Sequence, residues 1–456
     1  MSDSVVSRRV FLKSAGALAL GATLPFSPPI FAAKARKSCV IIGAGMSGLA
    51  GAYRLQQAGW EVTIIEARPR IGGRVWTDRF AAANLTCERG GEWIGDDHER
   101  MLALCHHFKL PLQRHRFKDN LLQRGRILPP GSWGFSQQAK NTWQKFATAW
   151  RGYSQQEKQN LDHYDWWTWL VRLGYTENDL LLRDLMDSTD FGESIRHISA
   201  YSAAGEYLES NATNEMDWKI TGGNERLPHA IAQRIGLDNF RLGTTVSAIT
   251  QKNGKVYVRA GAHTLTADAC ICTVPSRVLN HIRFTPSLPA AQARAAWELQ
   301  YARIVKNAVL FEERFWQADD FGMISDTTSH YYFHATQKQP GKMGVLTSYA
   351  TGEKADVMAS QSPQQRQEII TNDLKTLDMR APQLARGIIS QSWQRDPFSQ
   401  GSYALYRPGQ WFEIRPILQR PHGKVLFAGE HLADWQGFME GAVNTGEAAA
   451  DALLGK

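Results

Sequence analysis

Glycines at 43, 45 and 48, in Gly43-Ala44-Gly45-Met46-Ser47-Gly48, have the types and spacing that cradle a pyrophosphate. The apolar run 39–42 before them reads as a short buried strand, and the periodic stretch 49–58 after them as a helix. In such a strand, turn and helix, Gly43 permits the tight turn, Gly45 lets backbone approach the phosphates, and Gly48 lets the helix pack closely on the strand. The helix N-terminus adds unpaired N–H groups and a positive dipole end. A second strand, 61–65, runs into Glu66, 18 residues past Gly48 and near the spacing of an acid that bonds a ribose hydroxyl. An acid there repels a 2′-phosphate, which argues against NADP.

Lys306 stands out for its cost. It interrupts the hydrophobic alternation at 304–311, and a buried ammonium without a partner shifts its pKa or destabilises the fold, so the position points to a function. Two glycine pairs, Gly72-Gly73 before Arg74 and Gly90-Gly91 before Glu92-Trp93-Ile94, would let backbone pass against a flat ligand, with Arg74 placed to reach a pyrophosphate.

From Glu66-Ala67-Arg68 through these glycine pairs the chain resembles the flavin-containing amine oxidase family, which includes monoamine, polyamine and L-amino acid oxidases. Further matches lie far apart: Gly222-Gly223-Asn224 opening a helix, Val246 in a returning sheet, and Gly429-Glu430 followed by Gly437-Phe438-Met439-Glu440-Gly441-Ala442. The resemblance implies an α/β fold, a Rossmann-like, glutathione-reductase-like FAD domain interleaved with an α+β substrate domain. It places FAD against Gly43, Ala44, Gly45, Ser47, Gly48, Glu66, Ala67, Arg68, Gly73, Arg74, Gly91, Glu92, Trp93, Ile94, Val246, Gly429, Glu430, Phe438, Met439 and Ala442. It also implies that Lys306 bonds through water to the flavin, that Trp393 packs beside it, and that Tyr403 and Phe438 face each other across a narrow slot. Ser402 stands where some members attach FAD through a cysteine, so the FAD is expected to be noncovalent.

The implied reaction turns an amine into an imine, then an aldehyde or ketone plus ammonia, with oxygen consumed and hydrogen peroxide released. An L-amino acid oxidase is the alternative, with an FAD-dependent desaturase or a non-enzymatic FAD protein less favoured. The family's L-amino acid oxidases commonly carry an arginine for the substrate carboxylate soon after the second glycine pair. Here Glu92-Trp93-Ile94 and then Asp96 and Asp97 follow it, and by that resemblance the acid favours an amine without a carboxylate. Arg100, Arg183, Arg196 and Arg407 are the arginines that would instead bind a carboxylate in bidentate fashion.

The elements that must position these residues fall into interleaved segments: 36–113, 218–290 and 391–456 for FAD, and 114–217 and 291–390 for substrate, the first of these two read as helical and aromatic. With 456 residues, 43% hydrophobic and 21% charged, the chain can bury a sizeable core. The formal charge of +8 is a mild bias at this length, and no long Lys/Arg run exists to track phosphates, which argues against a nucleic-acid partner. Five scattered cysteines suit neither a disulfide framework nor a metal site and read as core thiols.

Residues 1–35 read as an address. Ser7-Arg8-Arg9-Val10-Phe11-Leu12-Lys13, then a small-residue apolar stretch, resembles a twin-arginine signal, whose machinery exports proteins already folded. The expectation is a cofactor-loaded protein in the bacterial periplasm, without a stable membrane anchor once mature.

Overall fold

The computed structural model describes residues 36–209, 216–316, 318–434 and 436–456. The expected export signal at 1–35 lies outside the described residues. Five short strands form a parallel sheet in the order Val425–Phe427, Ala269–Cys272, Ser38–Ile42, Glu61–Ile65 and Phe240–Arg241. Parallel strands covered on both faces read as unbroken apolar runs. Cys39 and Ile41 pack with the helices Met46–Gln57, Arg226–Ile235 and Met439–Leu454, whereas Val40 and Ile42 pack with a four-stranded sheet that includes Val246–Lys252 and Lys255–Ala260. All five cysteines are buried and unpaired.

Gly43 takes φ +106°, a conformation that side-chain-bearing residues rarely adopt, and so turns Ser38–Ile42 into the helix Met46–Gln57. That helix meets Met439–Leu454 almost backbone to backbone. A Cβ on Gly51 would lie 2.9 Å from the Gly446 carbonyl oxygen, and one on Gly446 would overlap the Ser47 carbonyl.

A seven-stranded mixed sheet follows the order Ala385–Ser392, Ile304–Phe311, Gly344–Thr351, Tyr331–His334, Phe321–Ser325, Lys118–Gln123 and Arg126–Leu128. All eight residues of Ile304–Phe311 are buried. Ile304, Ala308 and Leu310 pack with Tyr349 and Trp393 on one face, while Val305, Val309 and Phe311 pack on the other. Lys306, in phase with the first set, therefore projects from the face that carries Tyr349, its partner in register.

One segment differs from expectation. The stretch 114–217 is not helical throughout: it opens with the hairpin Lys118–Gln123 and Arg126–Leu128, whose turn residues Arg124 and Gly125 both take positive φ. Gly243 at φ +62° turns the chain between Phe240–Arg241 of the parallel sheet and Val246–Lys252 of the four-stranded one. Helices Gln137–Trp150, Gln155–Asp162, Trp166–Leu173, Glu177–Phe191 and Ala200–Leu208 complete the segment, and most of its tryptophans pack among themselves. Among the described residues no helix is long and apolar enough to cross a membrane. The architecture is α/β, a Rossmann-like parallel sheet interleaved with an α+β unit.

The helix crossing sets a direct test. Gly446→Val should lower stability by about 1–3 kcal/mol through overpacking and weaken retention of the FAD that the resemblance implies, because Ser47 sits beside the glycine turn. Urea unfolding and the absorbance of the purified protein measure both; unchanged values would remove the close approach as a constraint.

Candidate functional site

A cavity of about 1010 Å³ runs from the glycine turn to the seven-stranded sheet. That lies at the upper end of the range of about 300–1,000 Å³ for small-molecule sites. Gly43, Gly45, Ser47, Glu66, Ala67, Arg68 and Gly73 line one part of it. Arg74, Gly91, Glu92, Trp93, Val246, Gly429, Glu430, Met439 and Ala442 continue the wall, and Lys306, Trp393, Tyr403 and Phe438 line it as well.

Three of the expected residues are not on the wall. Ala44 acts through its backbone, its N–H donating to Glu66 Oε2 at 2.8 Å and its carbonyl accepting from Gly72 N–H at 2.9 Å. Gly48 closes the turn from behind, where a Cβ would overlap the Gly43 carbonyl. Ile94 is held by paired backbone bonds to Trp218, at 2.8 and 3.0 Å, and its side chain is core.

The lining fits a dinucleotide. Ser47 Oγ is buried without a hydrogen-bond partner at the start of the helix Met46–Gln57, a donor that a phosphate oxygen would satisfy. Neither that helix nor Met439–Leu454 has a side-chain cap at its N-terminus, and both begin on the cavity. A Cβ on Gly45 would meet only Gly73 Cα, at 3.9 Å, so the glycine leaves the cavity open there. Glu66, 5% exposed, also accepts from Arg68 N–H at 2.8 Å. Arg74 pairs with Glu430 at 2.7 Å and donates to the Ser402 carbonyl, while Glu430 accepts from Gly437 N–H at 2.9 Å.

Beside Lys306 lies a chain of buried charges. Lys306 Nζ donates to the Gly90 carbonyl at 3.0 Å and pairs with Glu92. Lys219 Nζ donates to Glu92 Oε1 at 2.8 Å and stands 3.6 Å from Glu88, which accepts from Thr77 Oγ1 at 2.7 Å and Asn224 N–H at 3.0 Å. Burial alone would raise the Glu92 carboxyl, but Lys219, Lys306 and His115 reverse it and hold it at about 2. Burial, with Lys219 adding to it, lowers His115 to about 4, so that ring is neutral near pH 7.

Sequence reasoning missed several wall residues. Tyr349 sits opposite Lys306, its Oη 3.1 Å from Tyr403 Oη, and Tyr403 Oη donates to the Asp190 carbonyl at 2.8 Å. Asp190, Glu206, Tyr207, Gln436 and Arg151 also line the cavity. Only strand register and tertiary packing bring these positions together; no spacing in the chain marks them.

Asp96 and Asp97 do not line the cavity. Asp96 is captured by Arg114 at 3.2 Å and by Trp218 Nε1 at 2.5 Å, so it does not mark the place of a substrate carboxylate. The arginines considered for a carboxylate are likewise elsewhere. Arg100 pairs with Glu447 at 2.7 Å, Arg183 with Asp187 at 2.8 Å, and Arg196 stacks 3.4 Å from the Trp167 ring centre. Arg407 is also absent from the wall.

Comparison with known proteins gives a consistent picture. The family model described as flavin containing amine oxidoreductase matches residues 46–454. An L-amino-acid oxidase of Siganus canaliculatus is 27% identical over 445 residues, covering 90% of this chain and 84% of that protein. An L-amino acid dehydrogenase of Synechocystis sp. is 24% identical over 469 residues, covering 94% and 98%. The solved cyclohexylamine oxidase from Brevibacterium oxydans shares the fold, with a TM-score of 0.81 at 24% identity, over 92% of this chain and 98% of that one.

Glu92→Gln should cost about 3–5 kcal/mol, since it strips two buried lysines of their shared carboxylate. In the wild type, a carboxyl depressed from 4.5 to about 2 contributes stability above pH 4.5 that is lost only as pH falls toward 2. Urea unfolding at pH 7 and pH 5 checks both: a large loss in the variant at each pH is expected, and a loss under 1 kcal/mol would mean the lysines are not dry.

Proposed function

Because the chain belongs to the flavin-containing amine oxidoreductase family and is an FAD-dependent oxidoreductase, we propose that it oxidises an amine lacking an α-carboxylate to the imine. Hydrolysis then gives an aldehyde or ketone and ammonia or a smaller amine, and oxygen is reduced to hydrogen peroxide. The observation that carries this is the charge of the wall. Lys306, Arg74 and Arg68 are engaged by Glu92, Glu430 and Asp396, while Asp190 and Glu206 bring acid to the same cavity.

Bound FAD would supply a two-electron acceptor for the carbon that bears nitrogen. The protein's own residues bind and orient. Lys306 has three N–H donors, two of them used on the Gly90 carbonyl and Glu92, which leaves one for a water or ligand atom in the cavity. Tyr403, Tyr349 and Phe438 give an aromatic wall that strips water from the amine and favours its neutral form. Burial holds the Tyr403 hydroxyl far above its ordinary pKa, and its bonds to Tyr349 and the Asp190 carbonyl fix the ring. It orients the substrate and does not take its proton. Ser402 on the wall has no thiol to form a thioether, in keeping with noncovalent FAD.

One observation favours the amino acid reading: Arg151 lines the cavity, exposed and without a carboxylate partner among the described residues. The twin-arginine pattern at 1–35 supports export of the folded protein to the bacterial periplasm, also as a proposal.

Anaerobic mixing of the yellow protein with amines and, separately, with L-amino acids tests the substrate class. Flavin absorbance should bleach with amines only, and Lys306→Met should keep its FAD while reduction slows on the order of 10²-fold. Bleaching by amino acids alone would transfer the assignment to the Arg151 reading.

A further inference from the structure

One part of the cavity wall holds acidic side chains short of cationic partners. The helices Glu177–Phe191 and Ala200–Leu208 bring Asp190 and Glu206 to the wall. A third acid nearby, Asp187, is already satisfied by Arg183 at 2.8 Å and Trp166 Nε1 at 2.8 Å. Asp190 accepts from Tyr207 Oη at 2.7 Å and forms no ion pair among the described residues, although the Arg183 charge reaches it. Glu206 has neither a hydrogen-bond nor an ion-pair partner among the described residues.

Gln436 is an independent sign of an unfilled site. It is 8% exposed, and its Nε2 donates to Ser202 Oγ at 2.9 Å while its Oε1 is buried with no partner among the described residues. It lines both the main cavity and an annex of about 110 Å³, and shares that boundary with Glu206 and Phe438. The rings of Tyr201 and Trp411 also wall the annex. Its other two acids already have partners: Glu209 is paired with Lys158 at 2.8 Å and Asp434 with Arg415. Aromatic faces with unpaired acceptors suit an ammonium group, which brings three N–H donors and a positive charge.

We propose that Glu206, assisted by Asp190 and Gln436, forms a cation subsite that holds a second, non-reacting ammonium, so that the substrate is a diamine or longer polyamine. The inference rests on the amine reading above and names its substrate class. The electrostatics agree. Burial first, then the nearby acids, raise Glu206 to about 8 and Asp190 to about 6, the signature of a site short of positive charge. The alternative occupant is a carboxylate at Arg151, which would favour an amino acid.

The test uses flavin-loaded protein, under anaerobic conditions, with straight-chain diamines of three to six carbons, 1-aminoalkanes of equal length, and L-amino acids. The wild type should show a diamine-over-monoamine ratio of half-saturating concentrations favouring diamines by about tenfold or more. Glu206→Gln, which keeps the shape but cannot ionise against an arriving ammonium, should cut that ratio by about tenfold, and Asp190→Asn should cut it as well. Flavin absorbance and melting temperature establish that both variants are folded. Monoamines reducing the flavin as well as diamines do, or a ratio unmoved in both variants, would overturn the subsite while leaving amine oxidation intact. Reduction by L-amino acids only would instead overturn the amine reading beneath it.

Discussion

Two lysines and two glutamates share one dry pocket, and their mutual satisfaction constrains the rest of the site. Each buried ion costs several kcal/mol in lost hydration, offset only when its partners sit in good geometry. Glu88 ends the strand Leu85–Glu88, Glu92 follows the second glycine pair, Lys219 sits in Trp218–Ile220 and Lys306 in Ile304–Phe311. Three separate stretches of chain, 85–92, 218–220 and 304–311, must therefore converge for the charges to cancel. Once they do, Lys306 has a fixed place on the cavity wall, where the seven-stranded sheet meets the loops that border the FAD end.

The cavity changes character along its length. Around the glycine turn it offers backbone N–H groups, the start of two helices and the unpartnered Ser47 hydroxyl, all donors suited to phosphate. At Asp190, Glu206 and Gln436 it offers acceptors among aromatic rings. Donors at one place and acceptors at another are what a site needs to hold an anionic cofactor and a cationic substrate at once. Arg74 shows how the halves are tied, since Glu430 and the Ser402 carbonyl take its donors and Glu430 in turn holds Gly437 next to Phe438.

Much of the FAD half was legible in the sequence because its constraints are local. Gly43 to Gly48 needs particular backbone freedom at fixed offsets, Glu66 must end the next strand, and a lysine in an all-buried strand shows its cost in the one-dimensional pattern. The substrate half was less legible because its constraints are not local. Tyr349 faces Lys306 through antiparallel register, and Glu206 comes to the same wall as Asp190 from a separate helix, the two helices meeting where Tyr207 Oη donates to Asp190. Asp96 misled for the same reason: nothing in its neighbourhood reveals that Arg114 and Trp218 capture it. The hairpin at Arg124-Gly125 was readable turn chemistry, masked by the helical run that follows it.

The most direct measurement is a double-mutant cycle on the buried pair, comparing the unfolding free energies of Glu92→Gln, Lys219→Met, the double variant and the wild type. If the charges satisfy one another, the double variant should be more stable than the sum of the single losses implies, with a coupling of about 1–3 kcal/mol. Additive losses would contradict the account, since Glu92 and Lys219 would then act independently and the placement of Lys306 would need another cause.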